Sequence, residues 1–375
     1  MIYLDNAATT KPDLECLKAA EKYLTTEYFN PSALYKGGYG LQCELREARE
    51  KILSLIADAD KFGLVFTSCG TEADNQALFC GGKRGNIVTT LGEHSAVFAA
   101  ANELKQRGLE VRFANINADG SVDISHLLSL VDDKTSLVSV IHVNNETGAI
   151  NDIFKIANAV KAKNKFTLFH SDGVQAFGKL RFKLTADVDL YSVSAHKIGG
   201  LKGCGALIKR KNLVIKPHLY GGGQEAGLRS GTENVFSIKN FQFAAVKRYA
   251  NLTENYQKVC HIHSLLWSKL DKSLFTRISP ADCSPYVLSV SAAGLRGETI
   301  LHEADDSGLI IGTGSACSSN EKKRFSRTIL ACGYGEEIAD GVLRLSFSSE
   351  NTAEEAVAAA EILNKLVANR KAIMA

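Results

Sequence analysis

The sequence predicts an α/β protein: a large domain on a mostly parallel sheet, joined to a smaller α/β domain. Three observations predict it. Short β-branched or aromatic runs alternate with amphipathic stretches through the middle of the chain. The pattern then changes near Phe236 to a long helical stretch followed by sparser strands. With 375 residues and 45% hydrophobic content, there is enough apolar material for a large core beside a smaller one.

Taken in order, residues 64–67, 86–90, 111–116, 137–143, 166–172, 188–194 and 206–209 read as buried strands. Between them, 95–107 and 154–164 carry apolar residues at three-to-four spacing and read as helices. Such alternation implies parallel strands covered on both faces, with ligands beyond their carboxyl ends. From Phe236 a helical pattern runs to Leu270, with no glycine or proline between Ser237 and Ser279. Strand-like segments follow at 286–291, 309–312 and 342–347, and an Ala-rich helix closes the chain at 352–372. The expected division is a large domain over 15–255, with 1–14 and 256–375 forming the smaller one, hinged by the long helix.

Composition excludes several functions. The formal net charge is +3, from 44 basic and 41 acidic residues, so no strong field steers the chain to nucleic acid. The runs Lys209-Arg210-Lys211 and Lys322-Lys323-Arg324 read as solvated faces. Nine unpatterned cysteines suit neither a disulfide framework nor a metal site and fit a reducing compartment. No apolar run reaches membrane-spanning length and the N-terminus lacks a signal-peptide pattern, so the expectation is cytoplasmic.

Three clusters carry chemistry. Ser194-Ala195-His196-Lys197 follows a predicted strand, and a partly desolvated lysine there can form a Schiff base. His170-Ser171-Asp172-Gly173-Val174-Gln175 follows another; its carboxylate can pair with a protonated pyridine nitrogen, and Gln175 can donate to a phenolic oxygen. In Thr67-Ser68-Cys69-Gly70-Thr71 a strand turns into a helix start, whose free N–H groups suit phosphate. Taken singly, these are also a surface lysine, a turn aspartate and an ordinary helix start.

Together they resemble the cysteine desulfurases of the NifS/IscS type, within the class V aminotransferases. The resemblance extends through Tyr3-Leu4-Asp5-Asn6-Ala7-Ala8-Thr9-Thr10, Asn30-Pro31-Ser32, Glu93-His94 and Asn144-Asn145-Glu146-Thr147-Gly148. It continues with Gly221-Gly222-Gly223-Gln224-Glu225, Arg229-Ser230-Gly231-Thr232, Gly314-Ser315-Ala316-Cys317-Ser318-Ser319 and Arg344-Leu345-Ser346, covering essentially the whole chain.

The resemblance implies the type I (aspartate aminotransferase-like) fold and pyridoxal 5'-phosphate as cofactor. Lys197 would hold the cofactor and move protons, Asp172 would face its ring nitrogen, Gln175 its phenolic oxygen, and His94 would stack on the ring as a further catalytic group. Gly70, Thr71, Ser194 and His196 would hold phosphate, with Thr232 reaching it from a second subunit of a homodimer. Asn145 would approach the cofactor and, with Arg344, the substrate carboxylate. Cys317 would take sulfur from L-cysteine and pass it to an acceptor protein, an iron–sulfur scaffold or a tRNA-thiolation enzyme; its small, polar surroundings suggest a loop that opens cheaply. Cys204, Cys260 and Cys332 read as structural. A selenocysteine lyase or a class V aminotransferase is the alternative, and no metal is expected. Two departures stand out: Cys69-Gly70 replaces the family's Gly-Ala in the phosphate turn, and Ile198-Gly199-Gly200 follows Lys197 where an aromatic and a proline are common.

Overall fold

The computed structural model describes residues 1–82, 85–313 and 325–374. The main sheet has seven strands: β1 (Phe62–Thr67), β2 (Asn86–Thr90), β3 (Glu110–Ala114), β4 (Thr135–Ser139), β5 (Leu168–Asp172), β6 (Leu190–Ser194) and β7 (Gly205–Arg210). Their spatial order is β1-β7-β6-β5-β4-β2-β3. Neighbours from β6 to β3 are parallel, while β7 runs antiparallel to both β6 and β1. The reversal at β7 has a plain cause. Residues 195–204 alone separate it from β6, too few for a helical crossover, so the chain returns antiparallel.

Both faces of the sheet are covered. Ile52 and Ile56 of α1 (Lys36–Ile56) share a core with Val88, Val138, Phe169 and Tyr191. On the opposite face, Leu78 of α2 (Gly70–Gly81) and Val97 and Leu104 of α3 (Ser95–Gln106) pack with Ile87, Val111 and Leu137. Adjacent residues such as Ile87 and Val88 serve opposite cores, the period-two consequence of a strand buried on both sides. Ile153, Ile156 and Val160 of α4 (Ile153–Lys163) and Phe241 of α5 (Val235–Ala250) complete the first core.

The single long helix expected to Leu270 is instead two, α5 and α6 (Leu252–Lys269), broken at Asn251. Asn251 sits at φ −108°, ψ 17°, and its side-chain amide donates to the Lys247 carbonyl at 3.2 Å. A short polar side chain bonding its own backbone ends a helix without glycine or proline.

Beyond the break lies a four-stranded antiparallel sheet: β8 (Thr276–Arg277), β9 (Val287–Ser291), β10 (Gly312–Thr313) and β11 (Val342–Ser346), in the order β10-β11-β9-β8. The expected strand 309–312 splits. Leu309–Ile310 pairs in parallel with Ile2–Tyr3, and β10 pairs with β11. Leu4 joins Val259, Leu288, Leu345 and residues of the last helix, α7 (Ala353–Met374), in a second core separate from the first. Among the described residues no helix is long and apolar enough to cross a membrane.

Gly173, directly after β5, packs against the Tyr191 ring, and a Cβ there would lie 1.9 Å from its Cζ. The ring is held by a 2.8 Å hydrogen bond between its hydroxyl and His142 Nδ1. Gly173→Ala is therefore expected to destabilise the fold by about 1–3 kcal/mol, read as a lower denaturant midpoint at unchanged m-value.

Candidate active site

The carboxyl ends of β1, β2, β4, β5 and β6 converge on a cavity of about 320 Å³. β6 delivers Ser194, and a 3₁₀ turn over Ala195–Lys197 swings the lysine into the cavity. Lys197 Nζ donates to the carbonyls of Ala7 (2.6 Å) and Ala8 (2.8 Å), so the N-terminal segment forms a wall of the cavity. β5 ends in Asp172, whose Oδ1 accepts from Val174 N–H at 2.9 Å. Gln175 follows in the same turn, with Nε2 donating to Ala7 O at 2.9 Å and Oε1 accepting from Lys179 Nζ at 2.7 Å. His94 caps α3, its Nδ1 accepting from Ala96 N–H at 3.2 Å. Asp74, His94 and Asp172 bring one donor atom each within 4.8 Å of one another.

Burial sets the electrostatics. It raises the Asp172 carboxyl to about 6, against the pull of the Val174 N–H and the Lys197 cation. Asp74 is also raised well above the ordinary carboxylate range, by burial and then by the charge on Asp172. Burial lifts Glu93 to about 8 despite hydrogen bonds from Thr90 Oγ1 (2.7 Å) and Ile141 N–H (3.0 Å). His94 falls to about 4, through burial and then the cations Lys197, Arg327 and Arg344, so its imidazole is neutral near pH 7. His196 likewise falls to about 4, through burial first and Lys197 next. Away from the cavity, burial pushes the thiols of Cys204, Cys260 and Cys332 up and keeps them protonated.

Arg344 projects from β11 across to this cavity and is buried. Its Nη1 donates to Asn145 O at 3.1 Å and its Nη2 to Asp5 Oδ1 at 2.9 Å, while Nε has no partner. Gly312 of β10 makes the close approach possible: a Cβ there would lie 2.8 Å from Asp5 Oδ1 and 3.0 Å from Arg344 Nη2.

These residues fit pyridoxal phosphate. At the anion end, α2 starts without a side-chain cap, and Ser194 Oγ is buried with no partner. At the other end, Asp172 waits for a cation. The Cys69-Gly70 departure also resolves. Cys69 is fully extended (φ −171°), a conformation any residue adopts, whereas a Cβ on residue 70 would meet Val174 Cγ2 at 2.8 Å. Val174 occupies the room that an alanine methyl would need, so glycine stands at 70.

Of the sequence-derived residues, Gly70, Thr71, His94, Asn145, Asp172, Gln175, Ser194, His196, Lys197 and Arg344 all line this one cavity. Thr232 does not; it is exposed and lines a separate hollow with Phe66, Ser68 and Arg229. Cys317 lies outside the described residues, as does the basic run 322–324. Sequence reasoning missed Asp74, Asp5, Lys179 and the Ala7 and Ala8 carbonyls. An aspartate in a helix's first turns reads as a solvated partner of the dipole, and burial alone reveals otherwise.

A buried carboxylate and an adjoining lysine at strand ends, facing an uncapped helix start, define a pyridoxal-phosphate enzyme of the type I fold. The chain belongs to the aminotransferase class-V family, whose model matches residues 2–358. It is 34% identical to the cysteine desulfurase IscS of Clostridium botulinum, over 99% of this chain and 95% of that protein. A solved NifS-like protein superposes with a TM-score of 0.91 at 33% identity, covering 98% of this chain and 99% of that one. SspA in complex with cysteine superposes with a TM-score of 0.80 at 26% identity, covering 94% and 100%.

Because burial raises Asp172 from its ordinary 3.8 to about 6, the cofactor-free fold gives up stability as pH rises through that window. Asp172→Asn removes the buried charge. In cofactor-free protein the variant should match wild type near pH 4 and exceed it increasingly up to pH 7, while losing cofactor affinity. Denaturant melts across that range check the sign; equal stability at pH 7 would contradict it.

Proposed function

We propose that the chain is a pyridoxal-phosphate-dependent cysteine desulfurase that converts L-cysteine to L-alanine and carries the sulfur as a persulfide on Cys317. One observation carries the reading: Lys197, Asp172, Gln175 and His94 share a single cavity with an arginine whose Nε is unpaired. The cysteine desulfurase named among its relatives, and the cysteine-bound neighbour, support the substrate.

When bound, pyridoxal phosphate supplies an electron sink for negative charge at the amino acid's α-carbon. Asp172 keeps the ring nitrogen protonated, and Gln175 donates to the phenolic oxygen. Arg344 takes the α-carboxylate, using the Nε that bonds none of the described residues. Lys197, released from the Ala7 and Ala8 carbonyls, takes the α-proton and returns protons to the carbon skeleton. His94, neutral near pH 7, stacks without placing a second cation beside the lysine. The Cys317 thiolate attacks the substrate sulfur. An S–S bond forms, the C–S bond breaks with its electron pair left on carbon, and a proton on that carbon completes alanine.

The same reading makes the protein a cytoplasmic homodimer, in which Thr232 serves the partner's phosphate site. Its exposure and its place outside its own chain's cavity support this. Two separate cores support the division into a large domain, 15–255, and a smaller one, 1–14 with 256–375. A sulfur acceptor, an iron–sulfur scaffold or a tRNA-thiolation enzyme, receives the persulfide.

Incubation with cysteine and a reductant should release sulfide and alanine in equal amounts. Lys197→Ala should abolish turnover. Cys317→Ser should bind cofactor and still change its visible absorbance with cysteine, yet form no persulfide and release sulfide at least about 100-fold more slowly. Mass spectrometry locates the added sulfur, and its appearance on another cysteine would remove Cys317 from the role. Light scattering should give twice the chain mass, and a fully active monomer would refute the shared site.

A further inference from the structure

Lys179 has no part in the chemistry above, yet it touches it. It lies four residues past Gln175, is 4% exposed, and directs Nζ to Gln175 Oε1 at 2.7 Å. Its Nζ also lies 5.6 Å from the centre of the Tyr286 ring. Burying an ammonium is costly: desolvation first, and then the charges of Lys197, Arg248 and Arg344, push its pKa well below the ordinary lysine value. A residue held at such cost against a neutral amide calls for a purpose.

The two ends of an amide are alike in shape and opposite in hydrogen bonding. Gln175 is fixed at both. Ala7 O can only accept, and takes Nε2 at 2.9 Å. Lys179 donates to the other end. Ala7 O selects this orientation by itself, and Lys179, while it carries its proton, selects the same one, so together they exclude the flipped amide. Nε2 has two N–H bonds and Ala7 uses one, leaving the second for the cavity that Gln175 lines. Ala7 O also accepts from Lys197 at 2.6 Å. Ala7 O is thus shared between two donors, whereas Lys179 meets the other end of the amide.

We propose that Lys179 is a positioning residue, which locks the Gln175 amide with its N–H end toward the cofactor's phenolic oxygen. A flipped amide would turn a carbonyl oxygen on that acceptor and repel it. The inference rests on the role of Gln175 proposed above, and goes further by naming what aims it.

The experiment uses holoenzyme of wild type, Gln175→Leu, Lys179→Met and the double variant. The readout is the midpoint pH of the bound cofactor's visible absorbance change. A donor to the phenolic oxygen stabilises its anionic form, so losing the donor raises the midpoint, by roughly 0.5–1 pH unit for one charge-assisted hydrogen bond. Lys179→Met should raise the midpoint in the same direction as Gln175→Leu and weaken cofactor binding to the apoenzyme several-fold. In the double variant Lys179→Met should add nothing to Gln175→Leu. A shifted Gln175→Leu beside an unmoved Lys179→Met overturns the inference and leaves the role of Gln175 standing. An unmoved Gln175→Leu overturns both. Should Lys179→Met fail to fold, Lys179→Gln carries the test, since its amide presents oxygen as readily as N–H: a smaller shift of the same sign is expected, and none overturns the inference.

Discussion

Two carboxyl groups, Asp172 and Asp74, are buried within reach of each other where β5 ends and α2 begins, and the site is arranged around that pair. Adjacent buried carboxyls do not both ionise easily. The surroundings divide the roles. Asp74, raised well above the carboxylate range by burial and then by the charge on Asp172, with no hydrogen bond donated to its Oδ1, keeps the proton. Asp172 receives the Val174 N–H and feels the Lys197 cation, so it is the one to carry charge. A carboxylate in that position is short of a positive partner. On the proposed function, a pyridinium nitrogen would supply one and would stay protonated because of it, which would keep the ring an effective electron sink. Cofactor affinity and cofactor reactivity would then have the same electrostatic origin.

The N-terminal segment binds the two cores together across this charge. Asn6 Nδ2 donates to Ser346 O at 3.0 Å and Ala7 N–H to Ser346 Oγ at 2.8 Å, tying it to β11. Thr10 N–H donates to His196 O at 2.9 Å and Asp13 N–H to Gly199 O at 2.8 Å, tying it to the turn beyond β6. Between these anchors the Ala7 and Ala8 carbonyls meet Lys197. Main-chain oxygens suit this task, since they hold an ammonium without neutralising it and release it without leaving a buried anion.

Much of this could be read from residues alone. Strands buried on both faces announce themselves as apolar runs, which is why β1, β2, β5 and β6 fall within two residues of their expected bounds. The residues expected to hold the cofactor sit just past strand ends, where small and polar types cluster in the sequence. The antiparallel return of β7 was not legible, because strand direction depends on the room available to a connection rather than on composition. Nor was the break at Asn251, which one side-chain amide decides within a continuous helical pattern. Asp74, Asp5 and Lys179 were hidden for a common reason. A charged side chain announces exposure, and these three owe their roles to neighbours brought from residues 172, 344 and 175.

Gly312 stands beside the arginine, and shortly before the cysteine, that the proposed reaction would need at its two ends. Its α-carbon lies against Asp5 and the Arg344 fork, and it opens the short strand after which residues 314–324 begin. Cys317 stands four residues beyond Thr313, so its tether spans at most about 14 Å. On the proposed function, the arginine that would take the carboxylate and the chain leading to the cysteine that would take sulfur both adjoin this one position. The span between them is a length measured along one short stretch of backbone. A side chain at position 312 would push on Asp5 and the Arg344 fork at the head of the stretch that leads to Cys317, so on the proposed function specificity and sulfur capture would not be independent properties.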